Sequence, residues 1–198
     1  MKIKKLIIIA TVSITTLIFI GGLIMFSLLN KIGNAEPKIV TLNESYKVVG
    51  LRVRTGMNSV YADVSDVLQQ FSSLNERIEI PNKRQPWEYI SLSNNFAENK
   101  TWDYYTGYVV TKSDSTPKEF VLFETPAGNY AVFPVRCRVK YLLGLVIGKT
   151  KKHIYTKWLP ESKYELMGYE FEYTDEKMFN ENPNSLDLYV AIKEKKKL

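Results

Sequence analysis

The first two elements of the predicted fold lie in residues 46–54, YKVVGLRVR, and in residues 60–71, VYADVSDVLQQF. The first segment is rich in β-branched residues, which favour strands, and Gly50 within it is a candidate for a bulge or a close backbone approach. In the second segment the apolar residues recur at spacings that line one face of a helix, with Ser59 as its N-cap. A strand therefore gives way to an amphipathic helix.

The first half of the domain continues with two more predicted strands. They cover residues 88–92 and 104–111, and Gly107 interrupts the second of them. With the strand and helix before them, these segments give the order β-α-β-β.

A similar order of elements follows in the second half. Residues 120–138, FVLFETPAGNYAVFPVRCR, predict a pair of strands that turns at residues 126–128, where Pro and Gly supply the turn chemistry. A helix is predicted over residues 141–158 and is stopped by Pro160. Two alternating segments at residues 169–173 and 186–192 then read as strands.

The matching halves predict an α+β fold. Each half is too small to bury its sheet face alone, so we expect two pseudo-symmetric β-α-β-β-like halves in one mostly antiparallel sheet with helices on one side. The domain is expected over residues 45–194, with a basic tail at residues 195–198. The formal charge of +6 comes largely from lysines at the two ends, so the body of the chain is nearly balanced.

The N-terminal region predicts a membrane segment ahead of the domain. Residues 1–5 are basic, and residues 6–29 contain no charged residue. A helix of that length is about 36 Å long, enough to cross a hydrocarbon core of about 30 Å. We expect one transmembrane anchor followed by a linker at residues 30–44; the alternative is a signal segment cleaved near residues 33–35.

Lysine placement suggests the orientation. Lys2, Lys4 and Lys5 precede the apolar run, and positive charge favours the cytoplasmic side. The sequence therefore predicts a single-pass protein of the cell membrane with an extracytoplasmic domain. Secretion after cleavage, and a cytoplasmic domain, remain the alternatives.

Four stretches in this order resemble the GyrI-like, or AraC-type effector-binding, family. They are YKVVGLRVRT at residues 46–55, DYYTGYV at 103–109, TPAGNYAVF at 125–133, and residues 154–189 with IYTKWLPESKYEL, FEYTDEKMF and the start of LDLYVAI. The resemblance implies helices on one side of a sheet and an aromatic-lined cleft on the other, which in many relatives binds amphipathic or cationic organic molecules.

The resemblance also suggests which residues face a ligand. Glu172 matches the family's cleft glutamate, and Thr174 stands where Tyr is usual, which leaves the alignment open toward Glu170. A carboxylate among aromatic rings is a natural partner for an organic cation. The candidate ligand-binding residues are Glu172, Glu170, Tyr189, Tyr104, Tyr105, Trp102, Tyr89 and Trp87.

The sequence offers little evidence for nucleophilic catalysis, metal binding or nucleic-acid binding. His153 is the sequence's one histidine, and no nucleophile motif accompanies it. Cys137, the one cysteine, reads as a small apolar strand residue, so no clustered Cys and His offer a zinc site. We expect no metal and no cofactor. Relatives that regulate transcription carry a helix-turn-helix domain ahead of this module; an apolar segment stands there instead, so no nucleic acid partner is expected.

The sequence thus predicts a membrane-tethered protein that binds a small organic ligand. One alternative is a hydrolase of strained electrophilic molecules, as in some relatives, with Glu172 as general base and Tyr189 or Tyr104 as orienting donor. The other alternative is a protein-interaction module whose partner the sequence does not identify.

Overall fold

The computed structural model describes residues 36–137, 139–181 and 184–196, together with Thr16 and Ile20. Apart from those two residues, the predicted anchor at residues 6–29 lies outside the described part of the chain. Within that part, no helix has the length and apolar character needed to cross a membrane.

The described residues form one sheet and several helical segments. The strands are β1 (Lys38–Leu42), β2 (Tyr46–Gly56), β3 (Glu88–Asn94), β4 (Thr101–Val110), β5 (Val121–Thr125), β6 (Gly128–Arg136), β7 (Tyr164–Asp175) and β8 (Ser185–Glu194). The helices are α1 (Val60–Asn75), α2 (Leu143–His153), α3 (Leu159–Glu161) and α4 (Glu176–Glu181). A 3-10 turn at Lys140–Leu142 leads into α2, and a π-helical segment at Ile154–Trp158 follows it.

The sheet confirms the predicted α+β class. Its eight strands lie in the order β1-β6-β8-β7-β3-β4-β2-β5, and every neighbouring pair is antiparallel. The first half is β1-β2-α1-β3-β4 and the second is β5-β6-α2-β7-β8, so the order is symmetric about the β7–β3 pair. The fold begins earlier than predicted, because β1 lies within the expected linker; its five residues show no clear alternation that would reveal a strand.

The two strands predicted within residues 120–138 form on either side of residues 126–127, but they do not pair with each other. β5 pairs with β2, whereas β6 pairs with β1 and β8. The edge strands are exchanged between the halves, and a local turn signal carries no information about such long-range pairing.

The short connections show that the sheet is rolled. β1 and β2 stand six steps apart in the strand order, about 29 Å in a flat sheet, yet only residues 43–45 join them, a link of at most about 14 Å. Residues 126–127 join β5 to β6 across the same number of steps. The two ends of the sheet must therefore curl toward each other.

The interior of the roll is an aromatic core. The ring centroids of Tyr46 on β2 and Phe171 on β7 lie 6.3 Å apart although two strands separate them in the order. Tyr130 on β6 also contacts Phe171, at 5.2 Å. Val48 and Ile90 are completely buried in the same cluster. This face of the sheet is thus filled by the protein itself.

Helices α1 and α2 lie on the outer face of the rolled sheet. Phe71 of α1 packs with Val49 and Phe120, and Val146 of α2 packs with Phe133 and Leu188. The strand registers show that α1 and α2 cover the same face of the sheet. One row of paired residues runs over six strands from the area under α2 to the area under α1: Phe133, Leu188, Glu172, Ser91, Thr106 and Leu51. The predicted placement of the helices on one side is confirmed.

The helix ends depart from the predictions in detail. Ser59 is the N-cap of α1, but its hydroxyl donates to Asp63 rather than accepting from the helix backbone. Pro160 does not stop the second helix, which continues to Glu161. Pro160 lies at the start of the short α3, where a missing N–H is tolerated.

Candidate ligand-binding site

A polar strip runs along the centre of the outer face, between the sheet areas that α1 and α2 cover. In the row from Phe133 to Leu51, the residues at both ends are apolar, whereas Glu172, Ser91 and Thr106 in the middle are polar. The adjacent row brings Glu170, Ser93 and Tyr104 together in the same way. These residues alternate with the apolar interior because side chains of a strand point to opposite faces.

Hydroxyl groups form the floor of this strip. Thr106 is fully buried, and its Oγ1 lies 2.7 Å from the Tyr89 hydroxyl and 2.9 Å from Ser91 Oγ. Burial raises the pKa of Tyr89 and of Tyr104, and the nearby Glu172 carboxylate adds to the shift. Both phenols are therefore neutral hydrogen-bonding groups at physiological pH.

Two carboxylates and one ammonium form the charged centre. Lys151 Nζ lies 2.8 Å from Glu170 Oε1 and 3.3 Å from Glu172 Oε1. The side chain of Glu170 is 6% exposed and that of Glu172 is 18% exposed. Tyr155, one helical turn after Lys151, donates its hydroxyl to Glu170. These three interacting charges sum to minus one.

The electrostatics keep Lys151 charged. Burial lowers the pKa of its ammonium, but attraction to Glu170 and Glu172 and the hydrogen bond to Glu170 outweigh burial and hold the pKa above its usual range. Burial also raises the pKa of the Tyr155 phenol, and Glu170 raises it further. At neutral pH Tyr155 therefore acts as a donor to the carboxylate.

Tyr61 links α1 to α2. It belongs to α1, is 72% exposed, and stands against Gly144 and Gly148 of α2. A Cβ added at either glycine would lie 3.9 and 3.8 Å, respectively, from the tyrosine side chain. The two glycines therefore leave room for the ring between the helices. Leu145 on α2 and Tyr141 in the 3-10 turn before it are also exposed.

The carboxylate pair is covered rather than open. Lys151 and Tyr155 contact it directly. In the described part of the chain, a hollow of about 360 Å³ lies elsewhere, against α1, and its lining does not include Glu170 or Glu172. The residues around this hollow are Asp66, Gln69, Gln70, Ser73, Leu74 and Arg77.

The structure brings together four of the eight residues predicted from sequence. Glu170, Glu172, Tyr89 and Tyr104 share the polar strip. Trp102 lies two residues from Tyr104 on the same face of β4, at the periphery, where it contacts Phe96.

Trp87 also lies away from the carboxylates, where it packs on Tyr108 and Phe179.

Tyr105 and Tyr189 are not part of this strip. Tyr189 pairs with Phe171, and their rings stack 4.5 Å apart inside the roll; Tyr105 packs there on Phe123. The expected cleft on the side opposite the helices is therefore wrong for the carboxylates, which face the helix layer. For the same reason, Tyr189 cannot serve as the donor beside Glu172 in the hydrolase alternative.

Several residues of the strip escaped the sequence analysis. Ser91, Ser93 and Thr106 are small and common, and Lys151 is followed by Lys152 in a helix with several lysines. Tyr155 lies within the helix predicted over residues 141–158, but the sequence suggests no polar role for it. One signal was available, since Lys151 and Tyr155 have the spacing of neighbours on one helix face.

Comparison with known proteins identifies the family. Residues 38–192 match the Cass2 family, described as integron-associated effector binding proteins. The chain belongs to this family, which confirms the expected effector-binding domain and supports small-molecule binding. No curated protein matches the chain in sequence.

Solved structures share the fold at low sequence identity. An integron cassette protein from the mobile metagenome of Vibrio cholerae is 15% identical with a TM-score of 0.57, over 80% of this chain and 96% of that one. The structure of SAV2435 bound to tetraphenylphosphonium is 11% identical with a TM-score of 0.63, over 80% and 94%. A putative transcription regulation protein from Staphylococcus aureus MU50 is 11% identical with a TM-score of 0.57, over 80% and 98%.

Proposed function

We propose that this domain binds an organic cation with aromatic or amphipathic character between α1 and α2, with Glu170 and Glu172 as the charge partners. The observation that carries the proposal is the polar strip itself. It sets two largely buried carboxylates among hydroxyl groups where a purely structural sheet would have apolar residues. Together with Lys151, these two carboxylates carry a net charge of minus one.

The chemistry of the surroundings supports a cation rather than an anion. Buried carboxylates require a positive partner, because burial penalises an unpaired charge. The phenols of Tyr89 and Tyr104 lie near Glu172, and Tyr61 exposes its ring against α2. Aromatic rings attract cations by about 0.5–2 kcal/mol. SAV2435, which shares the fold, is bound to tetraphenylphosphonium, a lipophilic cation.

The first experiment is a thermal-shift titration of the full chain. Tetraphenylphosphonium is compared with triphenylphosphine oxide, a neutral molecule with similar aromatic groups. Binding to the native state raises Tm with ligand concentration. We expect a rise with the cation and a much smaller one with the neutral compound; equal rises would show that charge plays no part.

The site is tested by Glu172→Gln with Glu165→Gln as the matched control. Both residues belong to β7, but Glu165 is 46% exposed and pairs with Lys193. Glu172→Gln is expected to weaken cation binding at least tenfold, about 1.4 kcal/mol, and Glu165→Gln to leave it unchanged. Equal affinities in the two variants would remove Glu172 from the site.

We also propose that residues 6–29 anchor the protein in the cell membrane with the domain outside. The uncharged run and the lysines before it support this topology. Carbonate-washed membranes should retain the full chain, and protease added to spheroplasts should digest its domain. Release by the wash would contradict the anchor, and protection from protease would contradict the orientation.

A further inference from the structure

The proposed site already holds a cation that belongs to the protein. Lys151 Nζ contacts one oxygen of Glu170 and one of Glu172. Lys151 holds Oε1 of Glu170 and Tyr155 holds Oε2, so an incoming organic cation that pairs with Glu170 competes with Lys151 for this carboxylate. The positive charges of Lys151 and of the ligand would repel each other at this position.

The position of Lys151 allows it to leave. Its side chain is 27% exposed, so part of it reaches solvent while the ammonium contacts the two carboxylates. Lys151 lies on α2 close to the π-helical segment at Ile154–Trp158, and such departures from α-helix geometry recur at functional sites. Its long flexible stem can carry the charge from the strip to solvent without unfolding the sheet.

Tyr155 reinforces the closed arrangement. Its hydroxyl donates to the same carboxylate that Lys151 contacts most closely. Both residues lie on one face of the helical segment, so α2 and its π-helical continuation supply both groups that cover Glu170. The cover and the internal cation therefore come from one element.

We propose that Lys151 is a tethered internal cation that occupies the Glu170–Glu172 pair in the free protein and is displaced to solvent by an organic monocation. This inference rests on the proposed function and adds its consequence for affinity. Wild-type affinity is reduced by the fraction of molecules in which Lys151 has left the pair. A cation that lacks the apolar surface to compensate for this displacement is excluded.

The test compares Lys151→Met with Lys152→Met in the full chain. Met removes the ammonium but retains a flexible apolar stem, and Lys152 is its exposed neighbour in sequence. Calorimetric titration with tetraphenylphosphonium is expected to show at least tenfold tighter binding in Lys151→Met and no change in Lys152→Met. Equal or weaker binding in Lys151→Met would overturn the displacement while leaving the proposed function intact.

These titrations distinguish failure of the proposed cation binding from failure of the Lys151 displacement alone. If neither the wild type nor Lys151→Met binds tetraphenylphosphonium, the proposed function fails together with the inference. If triphenylphosphine oxide gains as much affinity as the cation in Lys151→Met, the substitution has merely opened space, and the internal-cation role is wrong.

A second measurement uses the wild-type protein, in case Lys151→Met does not fold. Trace acetylation followed by mass spectrometry reports the reactivity of individual lysines. Saturating tetraphenylphosphonium should raise the acetylation rate of Lys151 at least threefold, because the ammonium moves to solvent, while Lys152 in the same sequence region stays constant. An unchanged or reduced rate at Lys151 would overturn the inference.

Discussion

Gly50 of β2 pairs directly with Gly107 of β4, and a Cβ on Gly50 would lie 1.8 Å from the carbonyl oxygen of Thr106. A Cβ on Gly107 would likewise lie 2.2 Å from the carbonyl oxygen of Val49. Two glycines thus allow the backbones of neighbouring strands to approach each other. The contact adjoins Thr106, so the close approach of these strands lies at the floor of the polar strip.

Gly50→Ala should strongly destabilise the protein. The added methyl group meets a backbone atom, which cannot move aside as a side chain can, and overpacking of this kind costs about 3 kcal/mol. Urea unfolding measures the change. Gly168→Ala is the control, because nothing lies within 4 Å of its Cβ position and only its φ of +81° is unfavourable, a cost of about 1 kcal/mol. Equal losses would contradict the close approach.

Thr106→Val should destabilise the polar strip without changing its shape. The substitution removes the hydroxyl that meets both Tyr89 and Ser91 in a buried place, and an unpaired buried polar group costs about 1–3 kcal/mol. The exposed Thr41, whose hydroxyl donates to Asn129, gives the control Thr41→Val with a loss below about 0.5 kcal/mol. Chemical denaturation of both variants checks the difference, and a neutral Thr106→Val would argue against the network.

Asp103 should contribute stability that acid removes. Burial raises the pKa of Asp103, but hydrogen bonds from Asn95, Arg52 and Arg54 outweigh it and hold the pKa below its ordinary value. A lowered folded-state pKa stabilises the fold above the unfolded value of about 3.9, and this stability is lost as pH falls through the folded value. Asp103→Asn should therefore cost about 1–3 kcal/mol at pH 7 and less at pH 3, which lies below the unfolded value.

The Asp103 prediction is checked by urea unfolding at pH 7, 5 and 3. Glu181→Gln is the control, since Glu181 is 69% exposed and lies 3.9 Å from Lys177, an arrangement that contributes little. A difference between wild type and Asp103→Asn that stays constant across these pH values would refute the assignment.

The sequence predicts local structure well because strands and helices have their own periodicities. The segment around Val48 is rich in β-branched residues, the segment around Val67 has apolar residues at helical spacing, and both elements form as predicted. The alternation within β7 likewise predicts that Glu170 and Glu172 share a face opposite Phe171. Family resemblance adds the class of the domain, which the family match confirms.

Long-range register is what the sequence does not reveal. The Phe171–Tyr189 pairing puts Tyr189 inside the roll, and no local pattern determines which residue of β8 faces which residue of β7. The exchange of β1 and β5 between the halves is hidden for the same reason. Lys151 and Lys152 are adjacent residues of the same type, so the sequence does not show which of them contacts Glu170. The packing of α2 directs Lys151 toward that carboxylate.

The most direct test of the ligand site is calorimetric titration of tetraphenylphosphonium into three proteins: wild type, Glu170→Gln/Glu172→Gln, and Tyr189→Phe. The first variant changes the outer face between the helices, and the second changes the interior of the roll. We expect a loss of affinity of at least tenfold in the double variant and wild-type affinity in Tyr189→Phe. Retained affinity in the double variant, with a loss in Tyr189→Phe, would contradict this expectation and move the site to the interior face.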